Sequence, residues 1–291
     1  MEHYKLWGPS LRICFNLMAG TLSTQAMERK TMLAARKFTE SKLPLMDDSD
    51  RSDLSNILFS IHPEDSSREV MRAKIATDHI LEIVLGRLSW LGAAEQSHFF
   101  DMISGHPWLK SALGNFYEKL THVRLTADPA AASLTCIPKG KKPLVSIPVV
   151  SNVVSLSGSS NLQAANQNEI PFYWRPVSQT FTAIIVTLKM IFLLRSTVSP
   201  RHGLKKQGLD FIRQHIPESF WKNRRCMIVF ITPDEERGLK LTTKKYSALK
   251  AFPELELGYC VFPIGTSTFT SLQLNKLRKH VRVHFVLLFF C

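Results

Sequence analysis

Between residues 199 and 206 the chain reads SPRHGLKK, which sets His202 among three cationic side chains, Arg201, Lys205 and Lys206. Charged donors of this kind grip phosphate oxygens without a metal. His202, Lys205 and Lys206 are the candidates for any catalytic role, with Thr197 and Ser199 as minor oxygen donors. Arg224 and Arg225 form the next basic pair, and with Arg201, Lys205 and Lys206 they make up the expected phosphate-binding set. Contacts of this kind give salt-dependent binding that ignores base sequence. Asp210 is the nearest carboxylate on the helix side, a turn or more from His202.

The elements that must position these residues read as strand, strand, helix. Residues 181–187 and 190–198 are apolar and rich in β-branched side chains, and Lys189 marks the turn between them. A helix over 203–215 would turn Leu204, Leu209, Phe211 and Ile212 inward and Lys205, Lys206 and Arg213 outward. Phe172, Tyr173 and Trp174 precede this unit and are expected in the core rather than stacked on bases, as are Trp7, Trp90, Trp108 and Trp221. Further on, CMIVFIT over 226–232 and LGYCVFPI over 257–264 predict buried strands. Thr232-Pro233-Asp234-Glu235 between them predicts a helix start with a cap, proline at the first position and early acids. A basic amphipathic helix is expected over 271–282. Strands alternating with helices predict an α/β domain of restriction-endonuclease size over 161–283, followed by an apolar tail over 284–291.

Ahead of it, apolar residues at helical spacing predict an N-terminal helical unit over 1–125. Helices are expected at 68–91, 94–103 and 108–120, with His79 a core or boundary residue. A short strand-like run covers 56–61. Prolines and small residues make 126–160 a linker with one or two extended segments. Lys139-Gly140-Lys141-Lys142 lacks the spacing of a phosphate loop, and no such loop occurs elsewhere. The five cysteines are widely spaced, suiting a reducing compartment rather than a disulfide framework or structural zinc. With no secretory signal and no apolar run long enough for a membrane span, an intracellular setting, nucleus or cytoplasm, is expected.

The formal net charge is +13, and residues 201–282 carry sixteen Lys or Arg against seven Asp or Glu. So concentrated a basic excess favours a polyanion such as nucleic acid over acidic small molecules.

Several segments together carry a family likeness: PFYWRP at 171–176, FTAI at 181–184, STVSP at 196–200, His202, Gly208-Leu209, FITP at 230–233 and GYCVFPIG at 258–265. In that order they resemble the C-terminal region of Crinkler and retrotransposon-hot-spot type proteins. Gly8, Ser10 and Arg12 resemble the GxSxR element that ends the ATPase module of such proteins, placing Met1 at or after that module. The resemblance implies a nuclease-like domain of the PD-(D/E)xK class, in which an Asp and a second Asp, Glu or Gln on adjacent strands hold Mg²⁺ and a Lys assists the attacking water. Where the pattern has Asp this chain has Ile185, and where it has Gln this chain has Arg195. Isoleucine offers a metal nothing, and arginine brings a fixed positive charge. The expectation is therefore a nucleic-acid-associated, nuclease-fold protein with lost or weakened catalysis and no cofactor. An active Mg²⁺-dependent nuclease and a degenerate fragment of a longer ATPase-nuclease are the alternatives.

Overall fold

The computed structural model describes residues 2–40, 57–64, 67–88, 90–91, 93–106, 109–126, 133–140, 143–154, 171–174, 181–200, 203–216, 218–221 and 223–263. The described chain divides into two units, one ending at Phe116 and the other running from Tyr117 to Pro263.

In the first unit, α1 (Glu2–Trp7), α2 (Leu11–Met18) and α3 (Thr24–Glu40) precede a two-stranded antiparallel hairpin of β1 (Phe59–Glu64) and β2 (Ser67–Ile75). Helices α4 (Asp78–Leu88) and α5 (Ala93–Gly105) follow, and α6 (Lys110–Thr126) begins here and ends in the second unit. Phe38 of α3 forms the centre, meeting Phe59 edge-on at 5.1 Å and Phe99 at 5.2 Å. Apolar aromatics meeting edge to face are worth more than the area they bury.

The hairpin corrects two expectations, an all-helical unit and a helix from residue 68. Pairing Phe59 with Ile75 and Ile61 with Ala73 supplies the backbone partners that a helix would otherwise have provided. The helix starts ten residues later than expected, at Asp78, where the Thr77 hydroxyl accepts from Ile80 N–H at 3.2 Å. Trp90 is 77% exposed, against its expected core position, whereas Trp7 is buried and Trp221 half-buried. Trp108 lies outside the described residues.

The second unit is built on an eight-stranded mixed sheet, so the mixed α+β class holds. Its strands are β3 (Leu134–Pro138), β4 (Val145–Ile147), β5 (Val153–Val154), β6 (Phe172–Trp174), β7 (Ala183–Val186), β8 (Met190–Ser196), β9 (Arg225–Thr232) and β10 (Leu255–Val261). Their order across the sheet is β4-β3-β10-β9-β8-β7-β6-β5. The three central strands β8, β9 and β10 run parallel, and β6, β7 and β8 form an antiparallel meander beside them. Helices α7 (Lys206–His215) and α8 (Glu218–Trp221) connect β8 to β9, while α9 (Glu235–Thr243) and a 3-10 turn (Ser247–Ala251) connect β9 to β10. Leu209, Ile212 and Phe220 of the first crossover and Leu241 and Ala248 of the second join one core with Ile191, Leu193, Ile228 and Phe230, so both crossovers cover the same sheet face.

Three strands of this sheet come from the segment expected to be a linker: β3, β4 and β5 lie within 126–160. Phe172, Tyr173 and Trp174 are core residues, 1%, 1% and 3% exposed. Asp234, not Thr232, caps α9, its side chain accepting from Arg237 N–H at 2.9 Å. The helix expected at 271–282 and the tail at 284–291 lie outside the described residues.

Candidate functional site

Strand β8 is the pivot of the sheet, and its C-terminal end gathers polar groups where ligands collect in parallel α/β sheets. Side chains alternate along a strand, so Arg195 shares a face with Ile191 and Leu193, which belong to the core under α7 and α9. Its register partner on β9 is Phe230, whose ring stacks on Tyr246 at 5.9 Å. Arg195 is half-buried, and burial pulls its pKa below the ordinary value while Tyr246 and Glu118 favour the charged form. Burial pushes the Tyr246 phenol up to about 12, with Arg195 acting in the opposite direction.

Around this end three threonine hydroxyls have backbone work, whereas the buried Ser196 hydroxyl has no partner among the described residues. The Thr182 hydroxyl accepts from Ser196 N–H at 3.0 Å, and Thr197 N–H donates to the Ile231 carbonyl at 3.0 Å. The Thr197 hydroxyl donates to the Ser199 carbonyl and accepts from Ser199 N–H, each at 3.1 Å. The Thr232 hydroxyl donates to the Asp234 carbonyl at 2.8 Å, and the Asp234 carboxylate pairs with Arg237. Lys205 is exposed at the N-cap of α7, and Lys206 Nζ sits 2.7 Å from Asp210 Oδ2. Asp210 is therefore paired with Lys206 along the helix. Arg201 and His202 lie outside the described residues.

Two corrections concern positions expected to act together. Ile185 pairs with Phe192, three residues before Arg195. An odd offset puts the two side chains on opposite faces, and three residues add about 10 Å along the strand. Ile185 and Arg195 could not share one metal ion whatever residues stood there. Arg224 and Arg225 also stand apart from the lysines, because they open β9 at the other end of the parallel strands. Arg224 Nε donates to the Thr187 carbonyl at 2.7 Å and its guanidinium lies 5.0 Å over the Phe220 ring. Arg225 makes two 3.0 Å hydrogen bonds to Glu256.

A further polar group escaped the sequence reading. His122 of α6 is buried, with Nδ1 bonded to the Tyr173 hydroxyl and Nε2 3.7 Å from Glu118 Oε1. Glu118 is also one of the two groups that favour the charge on Arg195. The four-residue spacing of Glu118 and His122 was visible as a possible helix pair. Nothing local pointed to Tyr173, fifty-one residues on.

Among the described residues no group of three or more His, Cys, Asp or Glu side chains converges as a metal-binding set, and no helix is long and apolar enough to cross a membrane. No protein-family model, curated protein or solved structure matches the chain.

Proposed function

We propose that the second unit is a nuclease-like module that holds the phosphate backbone of a nucleic acid at the C-terminal end of β8, with cleavage lost or weakened. The observation that carries this reading is Arg195, a half-buried fixed charge at the end of a central strand, followed along the chain by the exposed Lys205. Partial burial strengthens a charge-assisted hydrogen bond to a phosphate oxygen, and an arginine fork fits two such oxygens at once. The order β7, β8, α7 supports a restriction-endonuclease-like arrangement, and the basic excess of the C-terminal region supports a polyanionic partner.

The module binds by phosphate contacts, so affinity falls steeply with salt and ignores base sequence. A filter-binding titration on double-stranded DNA and on RNA tests this. Retention at low salt that declines with added salt, and that weakens in Arg195→Gln, is the expected result. Absence of retention, or retention indifferent to salt, refutes the reading.

One observation favours the active Mg²⁺-dependent alternative: Glu118 brings a part-exposed carboxylate close enough to act on Arg195. Nicking of supercoiled plasmid that requires Mg²⁺, stops with EDTA and is abolished by Glu118→Gln would establish it.

A further inference from the structure

The two crossovers cover one face of the sheet and turn a strongly basic side to solvent. Residues 203–216 and 239–252 hold seven Lys or Arg and one acid, Asp210. Two of the seven are engaged in helix pairs, Lys206 with Asp210 and Lys240 with Glu236. Lys205, Arg213, Lys244, Lys245 and Lys250 are exposed, and no carboxylate pairs with them among the described residues.

Aromatic rings tie these cations to one surface. Helix α7 packs against the 3-10 turn, and Arg213 Cζ lies 5.5 Å over the ring of Phe252, which closes that turn two residues after Lys250. Lys244 Nζ lies 5.7 Å over the Tyr246 ring, and Arg195 is near enough to bear on the Tyr246 phenol. Phe252 and Tyr246 are 5% and 8% exposed and belong to the core beneath both crossovers. The rings form a floor on which the side-chain stems lie while the charged heads stay in water. Along α7, the eight residues from Lys205 to Arg213 span about 12 Å. The basic surface therefore runs from the C-terminal end of β8 back across the helical layer.

A lone phosphate cannot meet cations so far apart, whereas a nucleic-acid backbone places a charge about every 3.4 Å of helix axis on each strand. Single strands are held by bases stacked on exposed rings. Every described Phe, Tyr and Trp of the second unit is buried or half-buried. The half-buried rings are engaged: Phe211 stacks on His215 at 4.0 Å, and Trp221 Nε1 donates to the Ile216 carbonyl. A double helix keeps its bases stacked on one another and offers the densest phosphate charge. The basic segments expose one large apolar side chain, Leu239, too little to enter a lipid surface.

We propose that this crossover surface tracks the phosphate backbone of a double helix, with Arg213, Lys244, Lys245 and Lys250 adding contacts to those of Arg195 and Lys205. It extends, and rests on, the phosphate-binding reading of the second unit.

Fluorescence anisotropy on the full chain tests it, with a short DNA duplex, the RNA duplex of the same sequence and each DNA strand alone. Both duplexes are expected to bind more tightly, and with a steeper salt dependence, than either single strand. Lys245→Gln/Lys250→Gln removes two exposed charges that hold no carboxylate, so the urea midpoint of the parent should persist. In the same variant the slope of log affinity against log salt is expected to fall by about 2. An unchanged slope in this double variant, or single strands bound as tightly as duplexes, overturns the proposal. If Arg195→Gln still weakens retention in that case, the phosphate-binding reading stands without the crossover surface. Phosphatidylserine vesicles bound as tightly as the duplexes would assign the surface to lipid and also overturn it. Absence of any nucleic-acid binding at low salt refutes the reading and the surface together.

Discussion

The two ends of the parallel strands β8 and β9 look alike in sequence and differ in what their charges do. At the N-terminal end, Arg224 ties the close of the β7–β8 hairpin to α8 through the Thr187 and Phe220 carbonyls, and Arg225 is forked onto Glu256. These cations hold the fold. At the C-terminal end, Arg195 lies half-buried beside Tyr246, with Lys205 exposed at the helix start. A count of basic residues treats both ends equally, but the hydrogen bonds of Arg224 and Arg225 mark charge that holds the fold, whereas the exposure of Lys205 marks charge that a phosphate could meet.

The largest effect expected is common to both ends and is alkaline. Burial pushes Cys226 at the start of β9 from 9.0 to about 12, and Tyr246 at the other end from 10.0 to about 12. Below pH 9 both groups hold their protons whether the chain is folded or not. Between there and pH 12 the unfolded chain releases protons that the folded chain retains, so stability falls as pH rises. The urea midpoint should drop between pH 8 and pH 11, and Cys226→Ala should flatten part of that drop; a midpoint constant across this window would contradict the burial.

Arg224→Ala comes next, because it strands two carbonyl acceptors and uncovers Phe220. A loss of about 1.5–3 kcal/mol in urea unfolding is expected, with the salt dependence of DNA retention unchanged. Lys205→Gln, by contrast, should leave the midpoint alone and reduce the slope of log affinity against log salt by about 1. If Arg225→Gln reduces that slope equally, the division between the two ends fails. Its expected effect is instead a stability loss below about 1 kcal/mol, since the pair with Glu256 is largely at the surface. The smallest effect belongs to Asp210→Asn. It releases Lys206 from its exposed helix pair, costs no more than about 0.5 kcal/mol, and should raise DNA retention slightly.

Much of the second unit was legible from local pattern. The break at Lys189 in an apolar run marked the β7–β8 hairpin, CMIVFIT marked β9, and the spacing of Leu209 and Ile212 marked α7. Strands β3, β4 and β5 were not recognised as part of the sheet because they are short and interrupted by proline, and β3 pairs with β10 more than a hundred residues later. Strand β2 was hidden for a related reason. Its apolar residues fit either period until β1 supplies a ladder.

The candidate site was less legible than the fold. Chain order could align Ile185 and Arg195 with two ligand positions on adjacent strands, but only the register of the hairpin shows that they face opposite ways. A shift of one residue in that pairing would reverse the facing of every side chain, and no single side chain announces it. The sequence by itself determined where strong hydrophobic periods form elements and where the positive charge accumulates, because both depend on neighbours a few residues apart. The tertiary structure decided which side chains share a face, which cations already have carboxylate or carbonyl partners, and that Glu118, His122 and Tyr173 meet, because those pairings join residues that only folding brings together.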